Sequence, residues 1–210
     1  MNIGIIGAGS MGSALGKIWA SQRHSVMFSY SRDRAKLEAI AAAAGSNAQV
    51  GTVADAVQFG QVLLLTVPWQ SVPDAVAQMG ALEGKVVISC VNPLKPDFSG
   101  LEIGTSTSAA EEIAQRLPTA NVVEVLFPFA EILHSDSRQF GADRPTQFYC
   151  GDDDDAKAIV APLIAQVGLE PIDAGPLVNA RYLEPLGMLL VQLAYSGGMG
   201  ATIGLKLLRR

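Results

Sequence analysis

Gly7-Ala8-Gly9-Ser10-Met11-Gly12 is the stretch of this chain whose residue types and spacing point most directly to chemistry. An apolar run, Ile3 to Ile6, leads into it, and a helical pattern follows. The motif is G-x-G-x-x-G between a strand and a helix, where each glycine has a mechanical role. Gly7 allows a tight turn, and Gly9 lets a pyrophosphate approach the backbone. Gly12 lets the helix lie close on the strand. Ala8, Ser10 and Met11 complete the loop, and the helix N-terminus offers free N–H groups and a positive dipole end to phosphate. The expected ligand is a dinucleotide.

The end of the second strand selects which one. A carboxylate there would accept hydrogen bonds from a ribose 2′-hydroxyl. The chain instead reads Ser29-Tyr30-Ser31-Arg32, with Arg34 and Lys36 close behind. A guanidinium can hold a phosphate bidentately, so Ser31, Arg32 and Lys36 point to NADP over NAD. Arg32 read simply as the start of a solvated helix is the competing account. Thr66, Val67 and Pro68 close another strand on the same side and fit either a cofactor contact or a plain strand end. Asn92, after the next strand, is suited either to orient a nicotinamide amide or to cap its own loop.

No acid–base pair is evident. His24 precedes the second strand. His134 lies in the polar stretch Leu133-His134-Ser135-Asp136, where a proton shuttle is one reading and an ordinary surface histidine the other. No lysine occurs between Lys157 and Lys206, so the helix-borne catalytic lysine of β-hydroxyacid dehydrogenases has no counterpart. Cys90 and Cys150 lie in separate apolar runs and read as buried, reduced thiols. Asp152 to Asp155 follow a strand and precede a helix, where carboxylates favour the helix dipole. Four successive carboxylates converge poorly on one ion, so no metal site is expected.

The elements that must position these residues alternate. Strands are expected at Asn2–Ile6, Ser25–Tyr30, Ala48–Val50, Gln61–Thr66, Lys85–Val91, Asn121–Leu126, Thr146–Cys150 and Leu169–Asp173, with helices between most of them. Thr52-Val53-Ala54-Asp55 is a capping-box start. Asn92–Gly104 is a long loop, a feature that is usually functional or mobile. The alternation predicts an α/β, doubly wound, mainly parallel Rossmann sheet over residues 1–175, with a small helical extension over residues 176–210. The uncharged stretch Pro185–Leu205 reads as a buried helix, a glycine turn and a second short helix facing the core or a subunit partner. The chain has 210 residues, 49% hydrophobic and 17% charged, with a net charge of -5. That composition is globular, and it disfavours nucleic acid as a partner. The N-terminus enters a strand without a basic region or cleavage site, which predicts a cytoplasmic protein without membrane association.

Several segments together resemble the NADP oxidoreductases dependent on the deazaflavin coenzyme F420. The resemblance rests on the glycine loop, Ser31-Arg32 with Lys36, and Thr66-Val67-Pro68-Trp69. Cys150-Gly151-Asp152-Asp153-Asp154, Asp173-Ala174-Gly175-Pro176-Leu177 and Gly198-Met199-Gly200 extend it. It implies direct hydride transfer from NADPH to a second flat ring, a deazaflavin or a flavin, with no side-chain acid or base. It places that small-molecule acceptor among Asn92-Pro93-Leu94, Leu126-Phe127-Pro128 and Met199-Gly200, and it implies a homodimer. Where deazaflavin enzymes tend to carry a histidine after the sixth strand, this chain has Phe127. Two other readings remain at this level. Gly7–Leu15 is similar to pyrroline-carboxylate-type imine reductases, and a non-catalytic NADP(H)-binding sensor would share the same loop.

Overall fold

The computed structural model describes all 210 residues. Eight strands form one sheet: β1 (Asn2–Ile6), β2 (Ser25–Ser29), β3 (Ala48–Val50), β4 (Val62–Leu65), β5 (Val86–Ser89), β6 (Asn121–Val125), β7 (Thr146–Gly151) and β8 (Glu170–Asp173). The helices are α1 (Ser10–Ser21), α2 (Arg34–Ala44), α3 (Val53–Phe59), α4 (Val72–Met79), α5 (Ala109–Arg116), α6 (Ala130–His134), α7 (Asp154–Gln166) and α8 (Ala180–Val191).

The strand order is β3-β2-β1-β4-β5-β6-β7-β8. All neighbours run parallel except β6 and β7. This is the Rossmann arrangement expected from the alternation. The chain reverses its direction of travel across the sheet between β1 and β4, and ligand crevices open at such switch points. β4 and β5 are buried throughout, as strands covered on both faces must be.

Two apolar layers cover the sheet. One packs α1 and α7 around Trp19, Phe28 and Ile88; the other packs α4 and α5 around Leu65, Val87 and Ile113. Leu177, Ala180 and Leu183 belong to the second layer, so the start of the C-terminal segment shares the core of the sheet.

The C-terminal expectation needs correction. α8 ends at Val191 and a π-helical turn covers Gln192–Ser196, but no second helix follows. Gly198 and Gly200 take positive φ and stop helical winding. The tail then runs past β7, where Leu205 O accepts from Thr146 N at 2.8 Å and Lys206 pairs with Glu170 at 2.8 Å. The stretch is also less buried than expected: Leu189, Tyr195 and Met199 are exposed. No helix is long and apolar enough to cross a membrane.

Candidate active site

β1 delivers Gly7 to the crest of the sheet with φ +112, a conformation that favours glycine. Thr66 Oγ1, just beyond β4, donates to Gly7 O at 2.5 Å and closes the switch point. A Cβ on Gly12 would collide with the Gly7 carbonyl oxygen, whereas a Cβ on Gly9 would meet nothing within 4 Å. Gly12 is therefore a packing glycine, and Gly9 faces open space. Gly9 also occupies the N-cap of α1, with no side-chain cap and no acidic residue in the first turn. By contrast, Asp33, Thr52, Ser108 and Asp153 cap α2, α3, α5 and α7 with side-chain oxygens. The first N–H groups of α1 remain available to an anion.

Next to this loop is a cavity of about 420 Å³ lined by Gly7, Ala8, Gly9, Ser31, Arg32, Lys36, Thr66, Val67 and Pro68, together with Tyr30, Asp74 and others from α4. Neither Arg32 nor Lys36 belongs to any ion pair, while Arg34 is engaged with Glu38 at 3.0 Å. The Ser31 hydroxyl donates to Asp33 O and accepts from Asp33 N, which turns the chain into α2. Tyr30 is held at φ +58, and its hydroxyl donates to Asp74 at 2.8 Å. Gln78 donates to the same carboxylate oxygen at 2.9 Å. The one carboxylate in the cavity therefore already has donors, and the two cations are free.

The crevice continues past the loop. A cavity of about 570 Å³ shares Gly9, Thr66, Val67 and Pro68 with the first and adds Ser10, Met11, Trp69, Asn92 and Leu94. A third, of about 340 Å³, shares Ser10, Met11, Asn92 and Leu94 with the second. It is walled by Leu126, Phe127, Pro128, Phe129 and Tyr195. Phe129 and Tyr195 meet edge to face with centroids 5.9 Å apart. One trench thus runs from Arg32 to Phe127 across the carboxyl ends of β1, β4, β5 and β6. Pro93, Met199 and Gly200 lie outside the linings of these three cavities, and Met199 is 60% exposed.

His134 lies on α6, with Nε2 3.1 Å from Ser10 O and 3.3 Å from Ser10 Oγ, so it braces the outer side of the glycine loop. His24 sits behind β2 against Gln166, far from the crevice. Burial pushes the Cys90 and Cys150 thiols up, which keeps them neutral. No cluster of acidic, histidine or cysteine side chains is arranged to hold a metal.

Two acidic residues of the third cavity, Glu124 and Glu184, are not among the site residues expected from the sequence. Glu124 of β6 and Glu184 of α8 are 3% and 2% exposed. Glu184 accepts from Ala109 N at 2.9 Å and Ala110 N at 3.0 Å, and so caps α5 across the fold. Burial and Glu184 hold the Glu124 carboxyl well above the usual carboxylate range. Asn92 donates weakly to Glu184 O at 3.4 Å, while Asn92 Oδ1 and Glu124 Oε2 are buried without partners.

Comparison with known proteins places part of this trench in a described family. Residues 2–93 match the family model described as NADP oxidoreductase, coenzyme F420-dependent. Those residues contain the glycine loop, Ser31-Arg32 and Thr66-Val67-Pro68, so the resemblance read from the sequence holds across them. A crystal structure from Arthrobacter sp. FB24, provisionally named an F420-dependent NADP-reductase, superposes with a TM-score of 0.87 at 26% identity, covering 100% of both chains. A hypothetical protein from Sinorhizobium meliloti matches with a TM-score of 0.75 at 29% identity, over 86% of this chain and 87% of that one. The reductive aminase from Aspergillus terreus, solved with NADPH and ethyl-5-oxohexanoate, shares the fold at 18% identity with a TM-score of 0.68; 94% of this chain covers 62% of that one.

One sequence signal could have exposed Glu124. A central strand reading Asn-Val-Val-Glu-Val is apolar except for one carboxylate at its buried end. An unpaired charge there is costly, so its presence asks for an explanation.

Proposed function

We propose that this protein is an NADPH-dependent oxidoreductase that passes hydride to a flat ring acceptor, a deazaflavin or a flavin. The observation that carries the reading is the continuous trench, with free cations at one end and an aromatic-walled cavity at the other. Arg32 and Lys36 would hold the 2′-phosphate, and Gly9 with the uncapped N-terminus of α1 would hold the pyrophosphate. Thr66, Val67, Pro68 and Asn92 would guide the nicotinamide half toward Ser10 and Met11. The bound dinucleotide supplies the hydride. The protein supplies proximity, ring alignment and exclusion of water, effects that are large when two reactants share one cleft.

The acceptor would lie against Phe127, Pro128 and Leu94. No lysine, arginine or histidine lines that cavity, while Glu124, Glu131 and Glu184 do. A pyrroline carboxylate would find no countercharge there, which favours an uncharged ring over that substrate. The sensor reading has no use for a second cavity of this kind.

We also propose a homodimer built on the exposed apolar side chains Tyr182, Leu189, Tyr195 and Met199, which lie on α8 and just beyond it. The experiment that tests the function is to follow NADPH absorbance with deazaflavin, free flavin, ferric chelate and pyrroline carboxylate in turn. Oxidation with a ring acceptor is the expected result. Turnover with pyrroline carboxylate alone, or tight NADPH binding with no turnover, would replace this reading with one of its two rivals.

A further inference from the structure

The acceptor cavity contains a group that direct ring-to-ring transfer leaves unused. Glu124 stands in β6 between Ser89 of β5 and Cys150 of β7, its register partners on either side. Its Oε2 is buried with no hydrogen-bond partner. Glu184 faces it from α8, and the two backbone N–H groups at the start of α5 stabilise charge on Glu184. Glu124 has no such pair of backbone donors; the Ser89 hydroxyl beside it favours the charged form, but burial and Glu184 outweigh it. Two adjacent buried carboxylates cannot both ionise cheaply, and the one without the paired backbone donors keeps its proton. The other ionisable groups around it are Cys90 and Cys150, both neutral, the exposed Glu131 of α6 at the cavity's edge, and Glu111 behind Glu184, which is paired with Arg181 at 2.7 Å. No cation lines the cavity to draw the proton off.

We propose that Glu124 is the proton donor of this site: its carboxylic acid hydrogen-bonds a neutral ring nitrogen or carbonyl oxygen of the acceptor and supplies the proton that accompanies hydride transfer. The inference rests on the acceptor occupying the cavity beside Asn92 and Phe127, as proposed above. The balance is two electrons and two hydrogens. Hydride from the reduced nicotinamide forms one new bond on the acceptor. The Glu124 O–H bond breaks, and its proton forms an N–H or O–H bond on the acceptor heteroatom. The acceptor is reduced by two electrons, the dinucleotide is oxidised by two, and the Glu124 carboxylate takes a proton from solvent before the next turnover. A carboxylate beside Glu184 is a strong base, which favours that return. The acceptor class follows: a conjugated ring or imine with an uncharged basic heteroatom at its reacting end.

The test compares Glu124→Gln and Glu184→Gln with the wild type. Glu124→Gln keeps a hydrogen-bond donor but has no acid. Its NADPH affinity and KM should stay near wild type, while kcat falls about 100-fold or more. The wild-type kcat should decline as pH rises through the elevated Glu124 ionisation, and that limb should vanish in Glu124→Gln. Glu184→Gln removes the facing charge and should move the limb to lower pH. Infrared spectra of the NADP-loaded protein should show a protonated-carboxyl band that persists as pH rises past about 7, where Glu184 ionises; Glu124→Gln lacks that persistent band, and Glu184→Gln keeps a protonated-carboxyl band near neutral pH. A wild type without that band, or a Glu124→Gln variant with full kcat and an unchanged pH profile, overturns the inference alone. No NADPH oxidation by the wild type with any acceptor overturns the functional reading and this inference with it.

Discussion

Gly9 and Gly12 are three residues apart and do opposite work. Gly9 has φ -76, which any residue can adopt, and open space where a Cβ would go. Gly12 is pressed against the backbone of Gly7. Gly9→Ala should therefore keep the wild-type melting temperature and lose dinucleotide affinity, because the new methyl would occupy the open space proposed for the pyrophosphate. Gly12→Ala should lower the melting temperature as well. Calorimetry with and without NADPH separates the two, and a Gly9→Ala protein that binds NADPH at full strength would contradict the assignment. Arg32→Ala should weaken NADPH about 10-fold or more while leaving NADH nearly unchanged, the scale of a lost charge-assisted contact. Equal losses in a fluorescence titration would remove Arg32 from the 2′-phosphate. The geometry at these residues was legible in the sequence because it is local: a turn at Gly7, a close approach at Gly12, an unpaired cation at a strand end. Glu124 was not, because its partner lies on α8, sixty residues away. The fold buries Glu124 and brings Glu184 into the same cavity, and together these hold the carboxyl protonated.

At the scale of elements, α8 is tied to α5 by polar contacts. Glu184 satisfies the N–H groups of Ala109 and Ala110, and Arg181 pairs with Glu111 at 2.7 Å. Removing the first contact with Glu184→Ala leaves two buried donors unpaired and should cost about 1–3 kcal/mol in denaturant unfolding. The pH dependence has a definite sign. Burial raises both Glu124 and Glu184 from the ordinary value of 4.5, Glu184 to about 7. Raised carboxyls favour the protonated folded state, so their contribution is complete below about 4.5 and fades as pH rises through the folded values. Glu124→Gln cannot ionise. Its melting temperature should exceed the wild type's by a margin that widens as pH rises from acid to alkaline. A constant margin would mean that Glu124 ionises in the fold as it does in the unfolded chain. The strand and helix order was readable because hydrophobic alternation and capping residues are local signals. In the C-terminal segment the helix and the glycine turn were readable, but the second short helix is absent, because an uncharged run says nothing about where winding stops. Gly198 and Gly200 end the helix, and the tail is then held by Thr146 and Glu170, which lie distant in sequence.

For the whole molecule, the sheet's switch point opens a trench of three adjoining cavities running from Arg32 to Phe127. Its far wall is completed by Tyr195 from the C-terminal turn, so the extension helps to build the cavity proposed for the acceptor. The same segment exposes the apolar side chains offered to a second copy. Leu189→Glu should convert a dimer to a monomer in sedimentation, and a wild type that already sediments as a monomer would contradict the proposed interface. The central claim is that the two ends of the trench hold a hydride donor and a ring acceptor at the same time. The most direct measurement is single-turnover oxidation of bound NADPH, followed at its absorbance band, on mixing with deazaflavin or flavin. A fast first-order loss that saturates with acceptor concentration is predicted. Unchanged NADPH absorbance with every ring acceptor would contradict the account.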